Sequence, residues 1–110
     1  MNDITYKQVT TRAELNGAFA VRREVFIIEQ KIAEEEEYDE LDDYCLQFVA
    51  RSGGKIIGTA RVRFLSPDQA KIERMAVLKQ YRRNGVGMGI LTRIEEELKG
   101  RSVIGAVLHA

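Results

Sequence analysis

The stretch 71–98 contains the residues whose types and spacing could do chemistry. A basic turn at its centre carries Arg82 and Arg83, followed by Gly85 and Gly87. Glycine lets a backbone approach an anion closely, arginine adds charge and fixed donors, and a helix N-terminus adds unpaired N–H groups. The turn is therefore suited to bind a pyrophosphate. A second interpretation stays open, in which the glycines serve only a tight connection between a strand and a helix.

The segments on either side of the turn have the periodicity of a strand and of a helix. Residues 71–78 form a strand-like run, and Ile90, Leu91, Ile94 and Leu98 recur at helical spacing after the turn. No Gly-Lys-Ser/Thr follows, so the turn is not a P-loop, and the three glycines of a dinucleotide-binding fingerprint are absent. The pattern predicts a strand that delivers an anion-binding turn to a helix N-terminus.

The spacing Arg82-x-x-Gly85-x-Gly87 after a strand at residues 72–77 resembles motif A of the GNAT family of N-acetyltransferases. The resemblance implies that coenzyme A or acetyl-CoA binds here. The turn would hold the pyrophosphate, and the main chain of the strand would pair with the pantetheine amides. The cofactor-binding residues that it implies are Met75, Ala76, Val77, Arg82, Arg83, Asn84, Gly85, Val86, Gly87 and Met88.

Acetyl transfer to an amine needs a polarised thioester carbonyl and a group that removes a proton from the ammonium nucleophile. The resemblance implies that a backbone N–H of the same strand polarises the carbonyl and that a carboxylate takes the proton, a position matched by Glu73. A structural role stays equally open, with Glu73 paired to Lys71 or to an arginine of the neighbouring strand. Tyr81 and His109 are interpreted as bystanders, and no Cys/His cluster predicts a metal site.

The composition predicts a single domain over residues 1–110 that binds neither membranes nor nucleic acids. Charged residues make up 31% of the chain, no run of 18 apolar residues occurs, and no basic helix face is present. Eight of the ten residues 34–43 are acidic, which leaves a net charge of +8 elsewhere, suited to a polyanionic cofactor. With one cysteine, Cys45, and no signal-peptide pattern, we expect a buried structural thiol in a reducing, cytoplasmic compartment.

The order of periodic segments predicts an α+β fold, β-α-βββ-α-β, with a mixed, mainly antiparallel sheet. Glycines at positions 53 and 54 predict a hairpin, and Thr11 with Glu14 predicts a capping box ahead of the first helix. The predicted strands span residues 4–9, 44–51, 56–65, 70–77 and 103–109. The predicted helices span residues 12–28 and the segment from the glycine turn to Leu98, with Gly100 as C-cap.

Two charged features of the first helix and the following loop require interpretation. Arg22 falls on the apolar stripe of the helix, and we expect its side chain to reach past the edge of the core to solvent. The acidic run 34–43 is expected to be a solvated loop with one helical turn, because closely spaced acids disfavour packing. The family resemblance implies that this helix and loop border the acceptor site.

The resemblance covers essentially the whole chain but not the whole family domain, which continues with another helix and two strands. The family's usual general acid, a tyrosine, lies in that part. We therefore expect either a C-terminally truncated domain or one in which a partner supplies what is missing. The apolar strand edge at residues 103–107 predicts a homodimer or higher oligomer. The expected function is acetyl-CoA-dependent N-acetylation of a primary amine on a small molecule or peptide. The alternative is a catalytically silent acetyl-CoA-binding or oligomerising module.

Overall fold

The fold is built on a five-stranded sheet, seen in a computed structural model that describes residues 3–37 and 39–108. The strands follow chain order across the sheet, and each pairs antiparallel with the next except for the parallel pair β4–β5. They are β1 Ile4–Gln8, β2 Leu46–Ser52, β3 Lys55–Ser66, β4 Gln69–Val77 and β5 Gly105–Leu108. The predicted α+β fold with a mixed, mainly antiparallel sheet is confirmed.

Helices cover both faces of this sheet. Helix α1, Arg12–Arg22, packs on one face, and helix α3, Val86–Gly100, packs on the other. The approach of α3 is close, since a Cβ added at Gly58 of β3 would lie 3.1 Å from Ile90 Cδ1. A single helical turn, α2 Glu34–Glu37, and a 3₁₀ turn, Glu40–Tyr44, follow α1 in the chain. Among the described residues, no helix is long and apolar enough to cross a membrane.

The first helix begins as predicted but ends with wider turns. Thr11 Oγ1 accepts a hydrogen bond from Glu14 N, and Glu14 Oε1 accepts one from Thr11 N, both at 3.1 Å, which confirms the capping box. After α1 the chain continues as a π-helical segment, Arg23–Glu29, closed by a bond from Gln30 N to Val25 O at 3.0 Å. Such segments occur often at functional sites.

Several boundaries differ from the sequence prediction. Strand β2 begins at Leu46, so Cys45 lies ahead of the strand and is half-buried, and burial raises the pKa of its thiol. Gly100 belongs to α3, and Arg101 takes the C-cap position with its N–H donating to Leu98 O. Strand β1 ends at Gln8 rather than at residue 9, and β5 begins at Gly105 rather than at residue 103. His109, at the end of the predicted last strand, lies outside the described residues.

Candidate functional site

A bulge in β4 reshapes the strand where the cofactor-binding residues begin. Thr59 pairs with Ala76 and Arg61 pairs with Glu73, so two residues of β4 oppose one residue of β3. Arg74, one of these two, has a φ of 57°, in the left-handed region that arginine rarely adopts. A bulge of this kind bends its strand and changes the direction of the side chains beyond it.

Beyond the bulge, one edge of β4 has no strand beside it in the part of the chain that the structure describes. Strand β5 pairs only with the first four residues of β4, from the pair Gln69–Gly105 to the pair Ile72–Leu108. On that side no described strand pairs with the main chain at Met75 and Val77, although Val77 O accepts a hydrogen bond from Arg82 Nε. An open strand edge presents N–H and C=O groups that an extended amide-containing ligand can pair with.

The turn that follows presents a series of backbone donors. Arg83 and Gly85 both have left-handed backbones, with φ of 66° and 76°, and α3 begins at the next residue. Among the described residues, no protein oxygen accepts a hydrogen bond from the N–H groups of residues 83–88. The side chain of Asn84 donates to the carbonyls of Tyr81 and Arg82 at 3.3 and 3.2 Å, which engages two groups that would repel an anion. Successive free donors at a helix N-terminus form an anion-binding site.

The glycine at position 87 is not required by the packing of the protein itself. It lies in the first turn of α3, where a Cβ would meet only Met75 Sδ, at an ordinary contact distance of 3.5 Å. Gly89 differs, because a Cβ there would lie 2.1 Å from Tyr6 Cζ. The space at Gly87 is open between the helix start and the edge of β4, so the structure brings Met75–Val77 and the donor turn together around one gap.

The side chain of Arg82 donates hydrogen bonds to other residues of the protein, so it does not point only into that gap. Its Nε donates to Val77 O at 2.9 Å, and its two terminal nitrogens donate to the carboxylate of Glu29, both at 2.7 Å. The hydrogen bonds from Arg82 lower the pKa of Glu29. Of the two predicted arginines, Arg83 alone has no ion pair among the described residues. The role of Glu29 could not be read from the sequence, since 53 residues separate it from Arg82.

A cleft of about 510 Å³ opens beside the bulge, between β4, the π-helical segment and α2. Its walls combine apolar side chains with charged ones. They are formed by Phe26, Gln30, Ile32, Glu36, Glu37, Arg74, Met75 and Leu108. Because Met75 borders both the cleft and the gap at Gly87, a group held at the strand edge would meet a second molecule in the cleft.

The acidic run has the predicted helical turn and is mostly exposed, but part of it is not the solvated loop that the sequence predicted. Glu37 is 3% exposed, and the side chain of Asp42 is 10% exposed. Arg22, expected to reach solvent, is fully buried, and it donates to the carboxylates of both residues and to Glu37 O. The expectation failed because buried arginines on the other elements pair with these acids and satisfy them.

Arg61 of β3 is the second centre of this buried network. It is 1% exposed and donates to Asp39 at 2.8 Å, to Asp42 at 3.0 Å and to Glu73. Arg74 adds longer contacts of 3.4 Å to Asp39 and Glu37. The network therefore fixes the acidic segment, and with it one wall of the cleft, to the central strands.

Glu73, the predicted proton acceptor, lies inside this network. It is 3% exposed, and its carboxylate accepts from Arg61 and from Arg63, whose Nε lies 3.3 Å away. Burial by itself would raise the pKa of Glu73, but the hydrogen bonds from Arg61 and Arg63 outweigh it and lower the pKa. These contacts favour the structural role that the sequence left open, and the catalytic role of Glu73 stays a prediction.

The remaining candidates are Tyr81 and a metal site. Tyr81 is half-buried in the 3₁₀ turn Lys79–Tyr81 and packs against the core, which agrees with its interpretation as a packed aromatic. Within residues 3–37 and 39–108, no group of three or more His, Cys, Asp or Glu side chains is arranged to hold a metal ion.

Residues 14–110 match the family model described as "Acetyltransferase (GNAT) family". The chain is 37% identical over 106 residues to the uncharacterised Bacillus subtilis protein YyaT, covering 94% of this chain and 71% of that protein. It is 38% identical over 97 residues to the uncharacterised N-acetyltransferase YjcF of the same organism, covering 88% and 69%.

Solved structures share the fold. A predicted N-acetyltransferase from Lactobacillus plantarum superposes with a TM-score of 0.90 at 27% identity, over 99% of this chain and 76% of that one. An aminoglycoside acetyltransferase from a soil metagenome, in complex with sisomicin, superposes with a TM-score of 0.78 at 17% identity, over 97% of this chain and 77% of that one. A predicted acetyltransferase with acetyl-CoA from Clostridium acetobutylicum superposes with a TM-score of 0.72 at 19% identity, over 98% of this chain and 81% of that one. The last two likenesses concern the fold alone.

Proposed function

Because this chain belongs to the GNAT acetyltransferase family, we propose that it is an acetyl-CoA-dependent N-acetyltransferase that acetylates a primary amine. The observation that carries the proposal is the row of free backbone N–H groups at residues 83–88, placed beside an open strand edge. A diphosphate needs several converging donors, and a pantetheine arm needs an extended backbone to pair with. Both lie around one gap in this chain.

In the proposed complex the predicted cofactor residues form three groups with different tasks. The N–H groups of Arg83, Asn84, Gly85, Val86, Gly87 and Met88 hold the pyrophosphate. The side chain of Val86 is buried and that of Met88 is exposed, so both contribute through their backbones. Met75, Ala76 and Val77 pair with the pantetheine amides, and a backbone N–H of this segment polarises the thioester carbonyl. Arg82 supports the turn through Val77 and Glu29.

The acceptor amine binds in the cleft beside Met75. A small-molecule or peptide amine would fit its volume of about 510 Å³. The aminoglycoside acetyltransferase of the same fold, solved with sisomicin, supports a small amine as one class of acceptor.

The single half-buried cysteine, Cys45, supports the proposed reducing, cytoplasmic location.

A second candidate function is a module that binds acetyl-CoA without turnover. The observation in its favour is the pairing of Glu73 with Arg61 and Arg63, which lowers the pKa of the carboxyl group and occupies its oxygens. A carboxylate with a lowered pKa is a weak general base. Binding of acetyl-CoA without release of free CoA, across a panel of small amines and peptides, would select this alternative.

Two glycine-to-alanine variants of α3 test the binding site. Alanine at a helical position is more stable than glycine by roughly 0.5–1 kcal/mol. Apart from chain neighbours and the helix's own backbone, no heavy atom of the described residues lies within 4 Å of a Cβ at Gly100, and only Met75 Sδ lies near one at Gly87. We expect Gly87→Ala and Gly100→Ala each to keep or raise the free energy of unfolding. Only Gly87→Ala should weaken CoA binding, by about tenfold or more, because its methyl group enters the anion site.

Isothermal titration calorimetry with CoA measures the difference directly. Gly87→Asp should abolish binding, since a carboxylate would add charge repulsion to the steric conflict. Unchanged CoA affinity in Gly87→Ala and Gly87→Asp would remove the assignment of this turn. Gly100→Ala controls for any effect of helix stability on affinity.

The proposal includes a homodimer or higher oligomer formed through the C-terminal strand. Side chains on and before β5 are well exposed, at 80% for Ile104, 57% for Val107 and 54% for Leu108. An apolar strand edge favours pairing with another chain. Light scattering at micromolar concentration should therefore give at least twice the chain mass, and Val107→Lys should shift the mass toward the monomer. A monomer in the unmodified protein would contradict this part of the proposal.

A further inference from the structure

The contact between Glu29 and Arg82 joins two parts of the site that are remote in sequence. The carboxylate of Glu29 accepts hydrogen bonds from both terminal nitrogens of Arg82, each at 2.7 Å. This is the bidentate geometry that makes such pairs strong and directional. The same guanidinium also donates from Nε to Val77 O at 2.9 Å. One side chain therefore ties the donor turn to the end of β4 and to the end of the π-helical segment.

The π-helical segment and the residues that follow it form part of the wall of the cleft. Glu29 is its last residue, and two of the next three residues, Gln30 and Ile32, line the cleft together with Phe26. Two backbone bonds close this end, from Gln30 N to Val25 O at 3.0 Å and from Ile32 N to Phe26 O at 2.8 Å. Both bonds span more residues than those of an α-helix, so the local geometry depends on support from outside the segment.

Part of this support is core packing, since Val25 is buried and Phe26 packs against the core. Lys31 has a φ of 59°, a backbone conformation that costs free energy in a residue other than glycine. The ion pair of Arg23 with Glu34 also anchors the segment, but both side chains are more than half exposed, so the pair contributes little. Among the ion pairs of the described residues, that of Glu29 with Arg82 is the one that joins this segment to the donor turn.

We infer that Glu29 is a positioning residue that couples the cofactor turn to the acceptor wall. An anion bound at residues 83–88 restrains the turn, the turn restrains Arg82, and Arg82 holds Glu29 and the cleft wall that follows it. Two sites joined in this way bind their ligands cooperatively, because the first ligand restrains the element on which the second depends. The inference rests on the proposed function, since it requires that CoA binds at this turn.

Hydrogen exchange of the Gln30 and Ile32 amides tests the coupling without any need for turnover. In the unmodified protein, saturating CoA should slow the exchange of both amides by roughly fivefold or more. In Glu29→Gln the dissociation constant for CoA should stay within about threefold, while the slowing of exchange is lost. Arg82→Gln should lose it as well, and the double variant should behave like either single variant.

Glu34→Gln is the matched control, since it removes an ion pair of the same helical segment that does not reach the turn. It should keep the full slowing of exchange. CoA binding with no change at Gln30 and Ile32, or with the same change in Glu29→Gln, would overturn the inference and leave the proposed function intact. Tighter CoA binding by Glu29→Gln would also overturn it, because Glu29 would then compete with the pyrophosphate for Arg82. Absence of CoA binding in the unmodified protein would instead refute the proposed function.

Discussion

Two adjacent arginines, Arg22 and Arg23, should differ sharply in their contribution to stability. Arg22 is fully buried and donates from Nε to Glu37, from its terminal nitrogens to Asp42 at 2.7 and 3.2 Å, and to Glu37 O at 3.0 Å. Arg23 makes one pair with Glu34, and the two side chains are 52% and 61% exposed. We therefore compare Arg22→Met with Arg23→Met, which remove the same charge from neighbouring positions.

The magnitude follows from what each change leaves behind. In Arg22→Met, the only described ion pair left to the Glu37 carboxylate is its 3.4 Å contact with Arg74, and Asp42 keeps Arg61 at 3.0 Å. Removing one partner of a buried ion pair costs about 3–5 kcal/mol, a large part of a total stability of roughly 5–15 kcal/mol. The exposed pair of Arg23 is worth about 0.2–1 kcal/mol.

Urea denaturation followed by circular dichroism at pH 7 measures both variants against the unmodified protein. At roughly 4–8 °C per kcal/mol for a domain of this size, Arg22→Met should also lower Tm by more than about 12 °C. The stability of Arg22→Lys should lie between those of Arg22→Met and Arg23→Met, because lysine keeps the charge but cannot reproduce the planar fork of donors. If Arg22→Met fails to fold, Arg22→Lys carries the comparison.

A loss of less than about 1 kcal/mol in the free energy of unfolding of Arg22→Met would refute this reasoning. Equal losses in the two methionine variants would also refute it. Either result would mean that water reaches the network in solution and that the acidic run is held only weakly.

Two further predictions follow from the carboxylates. Glu73→Gln should leave any acetyl-transfer rate within about threefold and lower the free energy of unfolding by roughly 1–3 kcal/mol. A fall of 10²–10⁴-fold in rate at unchanged CoA affinity, as expected for a general base, would instead support the predicted catalytic role of Glu73. The hydrogen bond from Lys7 lowers the pKa of Glu14 to about 2 from an ordinary 4.5. Its stabilising effect is therefore complete above about pH 4.5 and is lost as the pH falls toward 2. Urea titrations across that range should show a smaller loss of stability for Glu14→Gln than for the unmodified protein, and equal losses would mean that Glu14 does not contribute.

The elements that depend on neighbouring residues could be predicted from the sequence. The capping box joins Thr11 and Glu14, three positions apart, and the glycine hairpin between β2 and β3 needs only φ values of 57° and 85° at positions 53 and 54. The strand, glycine turn and helix from residue 71 onward follow from periodicity and from the family motif. Local geometry and alternation of apolar residues are sufficient to specify such elements.

The partners of the charged residues could not be predicted in the same way. Helical periodicity correctly placed Arg22 on the apolar stripe, but its acceptors lie 15 and 20 residues further along the chain. The pair of Glu29 with Arg82 spans 53 residues, and the left-handed backbone of Arg74 has no local preference behind it. Sequence patterns show which residues avoid water, whereas the partner that makes a buried charge tolerable is chosen only when distant elements pack together. The tertiary structure alone therefore decided that part of the acidic run is buried, and that it forms a wall of the candidate site.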